Sequence, residues 1–263
     1  MADRGLQFGD GLFETIRLTS SGQAPLLERH LHRLSKGLNA LGFDPAVFSE
    51  VKAALGSLLE SAPAGYTGMK LIVTRGSGPR GYAPPEVTTP AFYASFFQVP
   101  PPGVSAAAAP ALVDPVLNVG VSHVRLGHQP LLAGLKHLNR LEQVLARQAF
   151  QPDWQEALMI SQHGMIIEGC MSNVFVKIDG QWHTPSLTSC GVQGVVRDWL
   201  IDAEVDIAVS DIPESVVADC EAMVLTNSLM GVRIVGLLNG RQLPTPPEAI
   251  AWQNNYAELF NGR

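Results

Sequence analysis

The chain has 263 residues, 46% hydrophobic and 16% charged, which is enough apolar material for one large or two moderate cores and too much for a disordered chain. A net charge of −6 leaves no basic footprint for nucleic acid, and with no run of like charge and no basic amphipathic helix a membrane surface is not an expected partner either. The three cysteines (Cys170, Cys190, Cys220) have no C-x-x-C spacing, the first residues form no apolar leader and no stretch has transmembrane length, so the expectation is a cytoplasmic protein with free thiols.

Residues 8–18 alternate loosely through Phe8, Leu12, Phe13, Ile16 and Leu18 and predict a strand. Leu26, Leu27, His30, Leu31, Leu34, Leu38 and Leu41 recur at helical spacing, and Gly42 ends that helix. Asp44 before Pro45 starts a second helix, near 45–61. Strands follow at 69–74 and 91–99, separated by the glycine-rich loop Arg75-Gly76-Ser77-Gly78-Pro79-Arg80-Gly81-Tyr82. Prolines and alanines over 100–110 mark a linker. In the second half, 116–121, 156–161, 173–178, 205–209 and 222–226 predict strands, and 137–150, 193–203 and 247–260 predict helices. The pattern is α+β or mixed α/β in two domains: a small one over 1–103, a linker over 104–114 and a large one over 115–263.

Lys136 is the first candidate for chemistry. Of five lysines, Lys36, Lys52 and Lys177 lie in solvated patterns, whereas Lys136 has Leu131, Leu132, Leu135 and Leu138 around it in sequence. Apolar surroundings disfavour an ammonium, and a neutral lysine amine attacks aldehydes. A lysine that snorkels past its neighbours to water fits the same pattern. Glu168 follows Ile166 and Ile167 and precedes Gly169 and an apolar strand, so its carboxylate needs a buried partner: a protonated ring nitrogen, or the backbone amides of Ser172 and Asn173.

Four further segments carry weaker signals. Gly191-Val192-Gln193-Gly194-Val195-Val196 precedes a helix whose first amides could hold a phosphate, or is an ordinary loop junction. Thr226-Asn227-Ser228-Leu229 follows a strand and offers further donors, or simply turns the chain. Arg33 sits between Leu31 and Leu34, so it either faces inward to an anion or pairs at the surface with Glu28 or Glu50. Arg80 and Tyr82 lie on a loop that presents forks to a carboxylate or is a surface loop. His30 and His32 do not share a helix face, and no metal-ligand motif occurs.

Together these segments, with Gln7-Phe8-Gly9-Asp10-Gly11-Leu12-Phe13-Glu14-Thr15 and Lys136-His137-Leu138-Asn139-Arg140-Leu141-Glu142, resemble the fold-type IV pyridoxal phosphate (PLP) enzymes. That group holds the D-amino-acid and branched-chain aminotransferases, and within it the chain is most similar to the aminodeoxychorismate lyases of folate biosynthesis. The resemblance implies a two-domain D-amino-acid aminotransferase-like fold whose large domain binds the cofactor. It implies Lys136 as Schiff-base lysine and proton shuttle and Glu168 at the pyridine nitrogen. It implies Arg33, Val195, Val196, Asn227, Ser228 and Leu229 at the phosphate, and Asn173 at the ring edge. Arg80 and Tyr82 match residues that reach a substrate carboxylate from the partner subunit, and Thr15 matches a threonine close to the substrate. Phe13 stands where D-amino-acid aminotransferases place a tyrosine. The implied protein is a homodimeric lyase acting on a small molecule, with an aminotransferase as the alternative activity.

Overall fold

The computed structural model describes residues 2–100, 116–204 and 206–260. The chain forms two compact units. The first runs as far as Val99 and takes in Leu135–Arg140; the second takes the stretch that ends at Gly134 and resumes at Leu141. The segment around Lys136, which the sequence reading placed in the large domain, therefore packs with the first unit. The linker expected over 104–114 lies outside the described residues.

In the first unit, Asp3 accepts a hydrogen bond from Leu6 N and starts α1 (Arg4–Phe8), which Gly9 closes at φ 69°. This helix takes Phe8 out of the strand expected from residue 8, so β1 spans Gly11–Arg17. α2 (Leu27–Ala40) and α3 (Pro45–Glu60) fall where periodicity and the Asp44 cap put them. β2 (Gly68–Thr74) and β3 (Ala91–Phe97) complete an antiparallel sheet in the order β1-β2-β3. Ile16, Leu18, Leu31, Leu55 and Met69 form the core between the sheet and the helices. Each such side chain contributes about 1.5–3 kcal/mol when fully buried.

The second unit starts with β4 (Val116–Leu126) and α4 (Leu141–Gln148). It continues through β5 (Glu156–Ser161), β6 (Met165–Gly169), β7 (Asn173–Ile178) and β8 (Gln181–Pro185) to α5 (Val195–Ala203). β9 (Ile207–Ser210), β10 (Ile212–Pro213), β11 (Ala222–Asn227), β12 (Gly231–Leu238), β13 (Arg241–Gln242) and α6 (Pro247–Glu258) follow. Among the described residues the ten strands form one mixed sheet, ordered β10-β6-β5-β4-β12-β11-β7-β8-β9, with β13 on β12. One face of that sheet buries Leu117, Val119, Val174, Val176, Met223 and Leu225 in a common core.

Three expectations need correction. The helix drawn from 137 begins only at Leu141. Residues 136–138 run antiparallel to β1: Phe13 N–H donates to Lys136 O, and Leu138 N–H donates to Gly11 O. Buried Leu135 and half-buried Leu138 stand at helical spacing, but the backbone of 136–138 pairs with β1. β6, β8 and β12 were not read as strands; β12 carries Gly231, Gly236 and a buried Arg233, which break the apolar signature of a central strand. The strand expected at 205–209 is β9, shifted to Ile207–Ser210.

Candidate active site

Alternation along β1 divides its side chains between two faces. Leu12, Glu14 and Ile16 are buried, whereas Phe13 and Thr15 are half-buried. A buried glutamate on a core-facing register position requires cations, and α2 supplies them. Arg33 donates Nε to Glu14 Oε1 (2.9 Å) and Nη2 to Oε2 (2.5 Å), and His30 Nδ1 lies 2.7 Å from Oε2. Burial alone would raise the Glu14 pKa, but Arg33 and His30 outweigh it and hold the group down at about 2. Burial likewise dominates at His30, lowering its pKa despite Glu14, with the Arg33 and Lys136 charges acting in the same direction. Arg33 thus faces inward, and its carboxylate partner is Glu14 rather than Glu28 or Glu50.

Lys136 Nζ lies 4.5 Å from the centre of the Phe13 ring. Its surroundings are less apolar than four nearby leucines suggest: Leu131 is 82% exposed, and Lys136 itself is half-buried. His137, next in sequence, is clamped by Arg140, which donates Nε to its carbonyl (3.0 Å) and Nη2 to Nε2 (2.5 Å). An always-protonated guanidinium requires Nε2 to accept, so the ring proton sits on Nδ1. Burial, then the Arg140 charge, lower the His137 pKa to about 4. Arg80 and Tyr82 are both exposed, and the Tyr82 ring stacks edge-on with Phe8 at 5.3 Å.

The second unit brings together a different set. Glu168, 4% exposed at the end of β6, accepts from Val192 N–H (2.8 Å) and from Gln143 Nε2 (3.4 Å). The turn that follows serves Glu156: Met171 N–H donates to Glu156 Oε1 (2.7 Å), as does Ser172 Oγ (3.2 Å). Asn173, 5% exposed at the start of β7, donates Nδ2 to Val192 O at 2.7 Å. The 191–194 loop is therefore tied to both Glu168 and Asn173. It delivers the chain to α5, whose N-cap Gly194 supplies no capping side chain and whose first residues Val195 and Val196 are buried. The first-turn amides thus have no side-chain cap to satisfy them. Cross-strand pairing sets Thr226 opposite Asn173, with its buried Oγ1 lacking a partner among the described residues. Asn227 is spent on its own turn: Oδ1 accepts from Leu229 and Met230 N–H, and Nδ2 donates to Met171 O. Tyr256 Oη donates to Ser228 O and pins that turn.

The sequence reading missed Glu14 and Glu156. Glu14 shares a strand face with Leu12 and Ile16, so strict alternation would have flagged a buried acid. Glu156 opens a fully buried strand, a position where an acid reads as a surface boundary. Thr226 belongs to the donor turn read at 226–229, and its pairing with Asn173 is what the structure adds. Among the described residues no group of His, Cys, Asp and Glu is placed to hold a metal ion.

Comparison with known proteins decides the ancestry. The family described as Amino-transferase class IV matches residues 11–238. The chain belongs to that family. An aminodeoxychorismate lyase from Vibrio harveyi is 34% identical over 238 residues, covering 88% of this chain and 84% of the relative. The crystal structure of 4-amino-4-deoxychorismate lyase from Pseudomonas aeruginosa superposes with a TM-score of 0.87 at 36% identity, covering 98% of this chain and 94% of that one. A D-alanine aminotransferase from Bacillus licheniformis is 30% identical over 197 residues, covering 74% of this chain and 65% of the relative. The fold is that of the fold-type IV enzymes, as the sequence resemblance implied.

Class IV aminotransferases are PLP enzymes, and PLP is the cofactor of this chain. The second unit fits it. A helix N-terminus without a side-chain cap suits a phosphate. A Cβ at Gly194 would run into Asn173 Oδ1, so the backbone there is open only because the residue is glycine. The unpartnered Thr226 Oγ1, on the Asn173 register pair, offers one more polar atom.

Proposed function

We propose that the chain is an aminodeoxychorismate lyase, converting 4-amino-4-deoxychorismate to 4-aminobenzoate and pyruvate. The observation that carries this reading is the Phe13 ring at 4.5 Å from Lys136 Nζ. The side chain against the reactive amine has no hydroxyl, so it offers a D-amino-acid carboxylate no hydrogen bond. The two lyases at 34% and 36% identity, each matched over most of its length, support the same choice. An aminotransferase is the second reading, supported by the 30% identity to a D-alanine enzyme.

In this reading Lys136, Arg33, Glu168, Asn173 and the start of α5 would hold PLP. Lys136 would bind it covalently, Arg33 and the Val195 and Val196 amides would take its phosphate with the 227–229 turn, and Glu168 would keep its ring nitrogen protonated. Bound PLP supplies an electron sink at the substrate amine. With PLP bound, Lys136 Nζ would be the base that removes the proton from the carbon bearing the substrate amine. The bond from the ring to the enolpyruvyl oxygen then breaks, the electron pair leaves on oxygen, and the ring becomes aromatic. The departing enolpyruvate takes up a proton and tautomerises to pyruvate. Thr15, which shares its strand face with Phe13, lies beside the substrate. Arg80 and Tyr82 take a substrate carboxylate in a homodimer, each serving the partner's site. A cytoplasmic location fits three cysteines that are all free and buried. None of the described helices is long and apolar enough to cross a membrane.

Product analysis separates the readings. Purified holoenzyme given 4-amino-4-deoxychorismate is expected to release 4-aminobenzoate and pyruvate in equal amounts; keto acid from D-alanine or a branched-chain donor, with no 4-aminobenzoate, would replace lyase by aminotransferase. Lys136→Ala is expected to lose the visible absorbance of bound PLP and at least about 10⁴-fold in kcat, since it removes covalent anchor and proton carrier together.

A further inference from the structure

One guanidinium in the first unit gathers four acceptors from two segments. Arg4, 3% exposed on α1, donates Nε to Asp10 Oδ2 (2.8 Å). It donates Nη1 to Gly81 O (3.1 Å) and Ala83 O (3.2 Å), and Nη2 to Tyr82 O (2.8 Å). Asp10 also accepts from Arg75 Nε, at 2.8 Å to the same Oδ2 and 3.0 Å to Oδ1, and Arg75 anchors on Leu41 O and Gly42 O just beyond α2. The Phe8 ring lies 5.0 Å from the Arg4 guanidinium and 5.3 Å from the Tyr82 ring.

A surface loop leaves its carbonyls to water by default. Here three consecutive carbonyls turn onto a single buried cation, in charge-assisted bonds that only a planar fork can make at once. The backbone of residues 81–83 is therefore set by Arg4, while the side chains of Arg80 and Tyr82 stay exposed, Tyr82 at 84%. A fixed backbone with free polar side chains is the arrangement that a binding loop needs.

We propose that Arg4 is a positioning residue for substrate: through the 81–83 carbonyls it orients Arg80 and Tyr82 toward a substrate carboxylate. The inference rests on the reading of Arg80 and Tyr82 as carboxylate-binding residues. It does not rest on the lyase assignment, because lyase and aminotransferase substrates both carry a carboxylate.

The test is steady-state kinetics on holoenzyme for Arg4→Ala, Arg4→Lys, Arg80→Ala and the Arg4→Ala/Arg80→Ala double variant, with whichever carboxylate substrate the enzyme turns over. Arg4→Ala is expected to raise KM about tenfold with kcat within about twofold, the signature of lost uniform binding. Arg4→Lys, a point charge in place of a fork, falls between, and it carries the test if Arg4→Ala does not fold. The double variant is expected to match Arg80→Ala alone, because Arg4 acts through the loop. Backbone amides of the loop should exchange hydrogen faster in Arg4→Ala while α2 and α3 keep their protection. Unchanged KM in both Arg4 variants, a kcat loss without a KM change, or additive effects in the double variant would overturn the proposal. An Arg80→Ala enzyme with wild-type KM would overturn it together with the loop assignment. Absence of 4-aminobenzoate would instead remove the lyase reading and leave Arg4 to be judged on the aminotransferase substrate.

Discussion

Two buried glutamates show how surroundings decide charge. Glu14 and Glu156 are each all but inaccessible, at 2% and 1% exposure. Burial pushes both pKa values up; at Glu14, Arg33 and His30 reverse it to about 2. Glu156 faces two hydrogen-bond donors at residues 171 and 172 and the distant charge of Arg147, against the like charge of Glu168, and its pKa rises to about 7. Cys170, close enough to sense both carboxylates, is pushed by burial to about 12, and Cys190 to about 11, so neither thiol ionises near neutral pH. The sign of the Glu156 effect follows from linkage. Its folded pKa exceeds the unfolded value of 4.5, so from pH 4.5 to about 7 the folded chain keeps a proton that the unfolded chain has lost. Stability from this group is present below 4.5 and falls as pH rises through about 7, by up to roughly 3 kcal/mol. Glu156→Gln keeps an acceptor for the two donors and removes the titration. It is expected to flatten the decline in melting temperature between pH 4.5 and 7 and to exceed the wild type at pH 8. Identical pH profiles for the two proteins would refute this account of Glu156.

At the scale of elements, the approach to α5 is where backbone and cofactor requirements meet. Gly194 has φ −76° and ψ 140°, a conformation open to any residue, so its glycine is not needed for the turn. What forbids a side chain is Asn173 Oδ1. Gly194→Ala should therefore keep the backbone of the turn but lose about 1–3 kcal/mol of stability as Asn173 gives way, and weaken PLP by about tenfold or more. Titrating apo-protein with PLP and following visible absorbance measures it; wild-type affinity in Gly194→Ala would remove α5 from the phosphate site. The same stretch shows what sequence makes legible. α2, α3, α5 and α6 announce themselves through apolar spacing and end signals, and β5 and β7 through unbroken β-branched and apolar runs. α4 starts later than expected because Leu135 and Leu138 satisfy a helical template while the backbone of 136–138 pairs with β1. Lys136 and Glu168 are singled out in sequence because each is a charge among apolar neighbours. Glu14, Glu156 and the Thr226–Asn173 pair are not, because register and tertiary partners give them meaning, and neither is a property of neighbours in sequence.

At the scale of the whole molecule the proposal that remains is assembly. α4 buries Ala146 yet exposes Leu141 (75%), Val144 (48%) and Leu145 (53%), an i, i+3, i+4 stripe on the face away from its own unit. Such a stripe is costly to leave in water, and solvated helices seldom carry three adjacent large apolar residues on one face. A second copy of the chain is the cover that the homodimer proposal supplies. Sedimentation of the wild type should give twice the chain mass of 28.2 kDa. Leu145→Glu places a charge in the centre of the stripe and should shift the equilibrium toward monomer, since an unpaired charge buried at an interface costs several kcal/mol. Because Arg80 and Tyr82 are proposed to serve the partner's site, the monomeric variant should keep PLP absorbance while KM rises, and higher protein concentration should restore it. A wild type that sediments as a monomer at full activity would end the dimer proposal. A Leu145→Glu enzyme that stays dimeric would place the interface elsewhere than α4.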